Sequence, residues 1–416
     1  MIRFRGIILA LLFPLLMLSA GPGPAGAVTP SQPPSPTGQA VAATATAGPP
    51  QRTHAAVLSS PPEMTAAQLT QVQQAVDRSG GHGPPLAASA AAAAPAVPET
   101  GAATSGGAAP LAPGTFSFFR NVDLGAGAPT SQTSSTDEPS VANVGNVVFY
   151  TGNWFAARSA DGGQTFSYVN PFTAFPSVNN GFCCDQSTIY DSSRNIMIWS
   201  LLYIPDNSSG SIRIAVANGG AGVLNSNWCY YTFNPQNLGL PTQRWFDYPH
   251  IALGADNLYV TANVFRTTNN SWTNTTILRL PLDTLAACGS LTYQHFTVSD
   301  QFNFTATDGA TTTMYWASNT NTSSMRIYNW PESTTTISWD DRTIPAYMAA
   351  ATYLCAGPDG LNACGRSDPR VMGAWDAGGV LGFMWNASQG GSFPYPYVYV
   401  ARFRESDRLL LDEPII

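Results

Sequence analysis

Five stretches of this chain carry polar or charged residues a few positions ahead of an apolar run, four of them opening on aspartate and a weaker one on Phe302, and the side chains gathered there are the ones that could do chemistry. They read Asp137-Glu138-Pro139-Ser140, Asp185-Gln186-Ser187-Thr188, Asp247-Tyr248-Pro249-His250, Phe302-Asn303-Phe304 and Asp368-Pro369-Arg370-Val371. Two carboxyl groups facing a sugar can divide the work of glycoside hydrolysis, one protonating the leaving oxygen while the other attacks or activates water. Glu138, Asp185 and Asp247 are the carboxyl candidates, and Tyr248 with His250 forms a pair that could instead abstract a proton, as a lyase requires. Arg244 and Arg370 add guanidinium groups, while Trp154, Trp245, Trp375 and Asn303 add rings and an amide for stacking on a sugar and bonding its hydroxyls. An aspartate at a strand start also caps the preceding loop, so capping, ligand binding and catalysis stay open as roles for these positions.

Other chemistries lack their residues. The chain has no lysine, which excludes Schiff-base catalysis, and it carries no phosphate-binding glycine loop, Gly-x-Ser-x-Gly elbow or dinucleotide fingerprint. No His, Cys, Asp and Glu fall at transition-metal spacing. No cofactor is expected, with calcium left open because carboxylates and carbonyls at a channel mouth suit a hard cation.

The elements that must position these residues are short strands. Each opening is followed by an apolar run (Val147–Tyr150, Ile196–Trp199, Leu258–Thr261, Met314–Trp316, Leu381–Trp385) and then by further strands such as Ile212–Val216, Thr276–Leu280, Met325–Tyr328 and Tyr397–Ala401. A period of about 45 to 70 residues with several strands per unit predicts an all-β fold, a β-propeller of four-stranded blades. The first strand of each blade lines the axis, so the five openings are expected to converge on one channel mouth. Five blades are readable, with Leu409–Ile416 as the outer strand of the fifth and Phe116–Val122 as a spare strand. The ring is then either an incomplete six- or seven-bladed one or a closed ring of five.

One segment matches a specific motif. Ser159-Ala160-Asp161-Gly162-Gly163-Gln164-Thr165-Phe166 resembles the Asp-box, or BNR repeat, of sialidase-like secreted propellers. The resemblance implies a hairpin between the two outer strands of a blade, in which Ser159, Asp161, Gly163, Thr165 and Phe166 are structural. Asp161 can accept backbone N–H bonds in its own turn, and Gly162 and Gly163 can adopt positive φ. Sialidases of that superfamily also carry an arginine triad, a Tyr/Glu nucleophile pair, an acidic general acid and a Phe-Arg-Ile-Pro motif. The nearest string here, Phe119-Arg120-Asn121-Val122, lacks the Ile-Pro, and only one complete Asp-box is present. The resemblance therefore implies architecture more than activity.

Ahead of the propeller, Arg3 and Arg5 precede an apolar run from Gly6 to Ala20 and then Ala25-Gly26-Ala27, which reads as a secretory signal peptide over residues 1–27. Residues 28–113 are rich in Ala, Pro, Gly, Ser and Thr and read as a disordered spacer. Within it a short helix is predicted near 61–79, started by a capping box at Ser60…Glu63 and carrying a stripe of Leu69, Val72 and Val76. The propeller domain is expected over 114–416.

Charged residues are only 10% of the 416, the formal net charge is −7, and the basic patches that nucleic acid or an anionic membrane would need are missing. Six cysteines in an exported chain read as disulfides. Cys355 with Cys364 and Cys229 with Cys288 are natural pairs, while Cys183-Cys184 either bond each other or find other partners. Together these features predict a secreted monomer that recognises extracellular carbohydrate or another cell-surface ligand at the channel mouth, with no membrane insertion after signal cleavage. The enzymatic alternative is a glycoside hydrolase, exo-sialidase-like, or a polysaccharide lyase, and a structural or adhesive exoprotein is a third.

Overall fold

The computed structural model describes residues 36–79, 86, 121–125, 128–134, 138–350, 353–355, 362, 364–365, 367–390 and 392–414. The expected signal peptide, the Ala87–Ala96 tract, Phe116–Arg120 and Asp137 lie outside the described residues; Asn121 and Val122 carry no strand. Within the unit from Ser35 onward, the described strands form five antiparallel meanders in chain order, the blades of a β-propeller. Their innermost strands are Ser140–Val144, Phe182–Asp191, Arg244–Leu253, Thr305–Ala306 and Val371–Ala377. Each blade supplies four strands of its own, as the sequence period predicts. Among the described residues no helix is long and apolar enough to cross a membrane.

Burial follows the alternation expected of stacked sheets. Phe149, Trp199 and Trp228 interlock between the first and second blades, with ring centroids 5.2 to 5.3 Å apart. Trp316 lies parallel to Tyr328 in the fourth blade at 5.1 Å. The fifth blade stacks Trp385 on Tyr399 at 4.7 Å and faces the fourth through Phe383 and Leu381.

The expected spacer departs from its composition. Residues 38–58 form four short strands, β1 (Gly38–Val41), β2 (Ala43–Ala47), β3 (Gln51–His54) and β4 (Val57–Leu58). Each adds antiparallel to the outer strand of a different blade: β1 to the fourth, β2 to the third, β3 to the second and β4 to the first. The segment is therefore a strap that runs backward around four blades. Its Ala- and Thr-rich residues bury little surface of their own, and composition alone reads them as unfoldable. They gain order because each blade edge offers a row of unpaired N–H and C=O groups that an extended chain can complete. Side chains add to this: Thr53 Oγ1 donates to Ala174 O at 3.0 Å, and Thr37 Oγ1 accepts from the amide of Asp341 at 3.0 Å.

The predicted helix forms over Ala66–Ser79, with its start displaced from the expected box. Thr65 and Gln68 make the reciprocal cap instead, Gln68 N donating to Thr65 Oγ1 at 3.2 Å and Thr65 N to Gln68 Oε1 at 2.9 Å. Val72 is buried and Leu69 packs beside it, and the helix rests on the inner strand of the second blade.

The Asp-box hairpin joins the third and fourth strands of the first blade, as the motif implies. Asp161 Oδ1 accepts from the amides of Gln164 and Thr165 at 2.9 and 3.0 Å, and Thr165 Oγ1 donates to its Oδ2 at 2.6 Å. These bonds from the Thr165 hydroxyl, the Ser159 hydroxyl and the turn amides hold the Asp161 carboxyl well below the usual range.

All six cysteines are paired, Cys183–Cys184, Cys229–Cys288 and Cys355–Cys364. The second, with a sequence separation of 59, ties the second blade to the third and is worth about 4 kcal/mol of loop-closure entropy. The third, with a separation of 9, is worth about 2.5 kcal/mol on the same basis.

Strap docking is testable at Gly38, where a Cβ would overlap the Trp339 ring that lies across it. Gly38→Val is expected to lower the urea-unfolding free energy by about 1–3 kcal/mol. Gly48→Ala, with nothing within 4 Å of its added carbon, should leave the curve in place. Coincident curves for Gly38→Val and the native protein would mean that β1 contributes nothing to the fold.

Candidate active site at the channel mouth

Two inner strands break their regular pleat, and the approach to a third adopts the same backbone conformation. Asp185, Tyr248 and Asn303 have φ of 47°, 56° and 59°, a left-handed conformation that costs an L-residue about 1–2 kcal/mol. Ladder register shifts at Asp185 and again between Asp247 and His250, marking β-bulges. The bulge decides which side chains share a face. Asp247 and His250 are three apart and would point to opposite sides of a regular strand, yet they pair with Asn263 and Thr261, two apart on the neighbouring strand, and so face the same way.

Glu138 from the first blade, Asp185 from the second and Asp247 from the third come together. Glu138 shares a side-chain hydrogen bond with Asp185, and its carboxyl is pushed up to about 10, first by burial and then by the charge of Asp185, with Asp247 adding to it. Asp247 is 1% exposed and neither of its carboxyl oxygens has a partner; burial raises its pKa most, followed by Asp185, while Arg370 pulls it down. Asp185 is thus the charge that opposes ionisation of both neighbours.

Arg370 enters from the fifth blade. Asp368 takes its Nε at 2.7 Å and also bonds Nη2, the ring of Tyr248 lies 4.1 Å from its Cζ and that of Phe302 5.0 Å, and its Nη1 is buried without a partner. Tyr248 is pushed up to about 12 by burial, against the pull of Arg370. His250 is half-buried, with its ring beside that of Tyr248. Burial, then the Arg370 charge, pushes its imidazole down to about 4, so it is neutral at ordinary pH. Among the described residues no group of three or more His, Cys, Asp or Glu is arranged to hold a metal ion.

The structure brings Glu138, Asp185, Asp247, Tyr248, His250 and Arg370 near one another. The other expected ligand contacts are corrected. Trp154 and Trp245 are each 3% exposed and belong to the core, Trp154 from the turn after Val147–Thr151, packed in the cluster with Cys183, Cys184 and Val72, and Trp245 from the inner strand of the third blade. Trp375 lies over Gly382 on the face of the fifth blade, well down the strand from Arg370. Asn303 is 2% exposed and structural: its Nδ2 donates to Thr305 Oγ1 at 3.3 Å and to Val371 O at 2.7 Å, and its Oδ1 accepts from Asn263 Nδ2 at 3.0 Å, joining the third, fourth and fifth blades. Arg244 stands across from Arg266, whose charge lowers its pKa after burial does, and the largest charge effects on the carboxyl group cluster come from other residues.

Several contributors escaped the sequence. Asn153 Oδ1 accepts from the Asp185 amide at 3.3 Å, and Gln186 Nε2 donates to the carbonyls of Gly152 and Phe155 at 2.9 and 3.1 Å. Phe302 and the buried Tyr347, whose hydroxyl has no partner, complete the wall around Arg370 and Asp368. A lone Asn in a hairpin turn or a Tyr in a long loop carries no signal of such a role; only the pairing of Asp368 with Arg370, two residues apart, was there to be found.

No protein-family model matches the chain, and no curated protein does. Solved structures with some likeness include an exo-β-1,3-galactanase of Clostridium thermocellum, 9% identical, with a TM-score of 0.35 over 65% of this chain and 60% of that one. An α-L-arabinofuranosidase of the same organism is 12% identical with a TM-score of 0.32, covering 67% of this chain and 94% of that one. A GH43 endo-arabinanase of Bacillus licheniformis is 12% identical with a TM-score of 0.29, covering 66% and 96%. Likeness this slight says nothing about activity.

Buried protons make stability depend on pH. Glu138 titrates near 4.5 in an unfolded chain and near 10 in the fold, so its contribution is complete below 4.5 and is lost as pH rises through 10. Glu138→Gln should flatten the fall in unfolding free energy between those values by up to ~1.4 kcal/mol per pH unit. Parallel pH profiles for the variant and the native protein, measured by urea titration, would show that Glu138 is not held protonated.

Proposed function

We propose that the protein is an exported glycoside hydrolase acting on neutral extracellular carbohydrate. The observation that carries this reading is the convergence of three carboxyl groups from successive blades, with Arg370 beside Asp247. Glu138 and Asp185 are in hydrogen-bond contact, closer than the ~5 Å or more that separates the acting pair in glycosidases, so they form one unit and Asp247 the other. Glu138 keeps its proton at neutral pH and is the general acid for the leaving oxygen. Asp247 also stands well above the usual carboxylate range through burial and the charge of Asp185, with Arg370 drawing it back; once its proton has left, it is the group placed to activate water or meet the anomeric carbon. Asp185 holds the proton on Glu138. Neutral His250 and the free Nη1 of Arg370 offer hydrogen bonds to sugar hydroxyls. The run after Arg3 and Arg5 supports export.

Charge argues against a sialoside or uronide. The guanidinium of Arg370 is already engaged by Asp368, and the carboxyl groups around it would repel a second anion. Recognition of the substrate carboxylate by an arginine triad, which the Asp-box resemblance implies, finds no support in Arg244, which stands with Arg266.

Turnover on matched aryl glycosides and polysaccharides tests the reading. Hydrolysis is expected for neutral substrates and not for sialosides or glucuronides. Asp247→Asn and Glu138→Gln should each lower kcat/KM by about 10²- to 10⁴-fold, with the Glu138 loss shrinking for leaving groups that need no proton. A native protein no faster than Asp247→Asn on every neutral glycoside of a broad panel would end the hydrolase reading.

A further inference from the structure

The Cys183–Cys184 disulfide takes no part in this chemistry, and it does little for global stability. A bond between neighbouring residues encloses no loop, so it removes almost nothing from the entropy of the unfolded chain. Both cysteines are buried, at 3% and 1% exposure, in the apolar cluster that also holds Trp154 and Val72. What the bond adjoins is the carboxyl site. Asp185 follows Cys184 directly and sits in its left-handed conformation there. The ladder to Ile196–Tyr203 loses register on both sides of the Cys184–Leu202 pair, so β-pairing alone does not fix the backbone at this point.

Two other constraints replace it. Ahead of Asp185, the disulfide ties two side chains across one peptide unit and removes torsional freedom from the residues that aim the aspartate. Behind it, Asn153 holds the Asp185 amide and Gln186 reaches across to the carbonyls of Gly152 and Phe155, with Trp199 Nε1 donating to Gln186 Oε1 at 2.9 Å. Opposite the aspartate stand Glu138 and Asp247, with Arg370 and Tyr248 beyond. Resting on the hydrolase reading above, we infer that Cys183 and Cys184 are positioning residues, whose bond holds Asp185 against Glu138 so that the two carboxyls share a proton in the geometry needed for acid catalysis.

The experiment compares the native full chain with Cys183→Ser/Cys184→Ser, using Cys229→Ser/Cys288→Ser as a control. It reads thermal unfolding, the ¹³C-carboxyl NMR titration of Glu138 assigned through Glu138→Gln, and kcat and KM on a neutral aryl glycoside. Loss of the Cys183–Cys184 bond removes almost no loop-closure entropy, so the melting temperature should fall only by what two serine hydroxyls cost in an apolar cluster. The Glu138 titration should fall by a unit or more from about 10, and kcat should drop on the order of 100-fold with little change in KM. The control should melt earlier while its Glu138 titration stays in place. The NMR titration needs no substrate, so it decides the positioning role even if no glycoside is turned over. Should the double serine variant not fold, Cys183→Ala/Cys184→Ala takes its place, and its Glu138 titration should fall in the same way. A titration that stays put when the bond is broken by either route overturns the inference, as does a fall of the same size in the control.

Discussion

Burying carboxyl groups without neutralising them is the constraint to which the rest of this structure answers, because a charge taken out of water must be paired or give up its ionisation. At the channel mouth both solutions coexist within one cluster. Asp368 is paired with Arg370 through two of its nitrogens, while Glu138 retains its proton under the influence of burial and Asp185. Asp247 lies between these cases, next to Arg370 yet with both oxygens unpartnered. Such an arrangement is poor for stability and good for proton transfer, since the site has groups whose environments push their protonation apart. It persists because the backbone beneath it is over-determined, by bulges, amide clamps and a disulfide.

Holding five sheets around that cluster requires rigid contact between blades, and arginine supplies much of it. Arg158, Arg213, Arg279 and Arg326 each lie on the third strand of a successive blade. Arg158 Nη1 donates to Val223 O at 2.8 Å, reaching from the first blade to the second. Arg213 lies 4.5 Å over both Tyr203 and Tyr230 and donates to Pro176 O at 3.0 Å. Arg279 covers Trp330 at 4.3 Å and bonds Thr334 O at 3.0 Å, linking the third blade to the fourth. A planar guanidinium can stack on a ring while its edge donates to carbonyls, which a lysine ammonium cannot do, and this gives a physical reason for a chain whose basic side chains are all arginine. The strap completes the frame from outside by pairing the outer edges of four blades.

Much of this was legible in the residues. The repeated openings at Glu138, Asp185, Asp247 and Arg370 were readable because a propeller places the same strand position of each blade at one mouth, so strand phase in the sequence becomes proximity in space. The Asp-box was readable because its bonds are local, all within Ser159–Thr165. The tryptophans were misjudged for the opposite reason. Exposure of Trp154 or Trp245 depends on which elements from elsewhere in the chain lie against it, and nothing in the neighbouring sequence records that.

The sequence by itself therefore determined the blade period, the cysteines available for pairing and the identity of the groups at the mouth, since each of these depends on neighbours along the chain. Tertiary structure decided what those groups became. It set Asp247 and His250 on one face through a bulge, gave the proton to Glu138 by burying it beside Asp185, engaged Arg370 with Asp368, and turned an Ala- and Thr-rich stretch into a strap. Each of those outcomes rests on desolvation or on an edge offered by residues far away in the chain, and neither exists until the blades have come together.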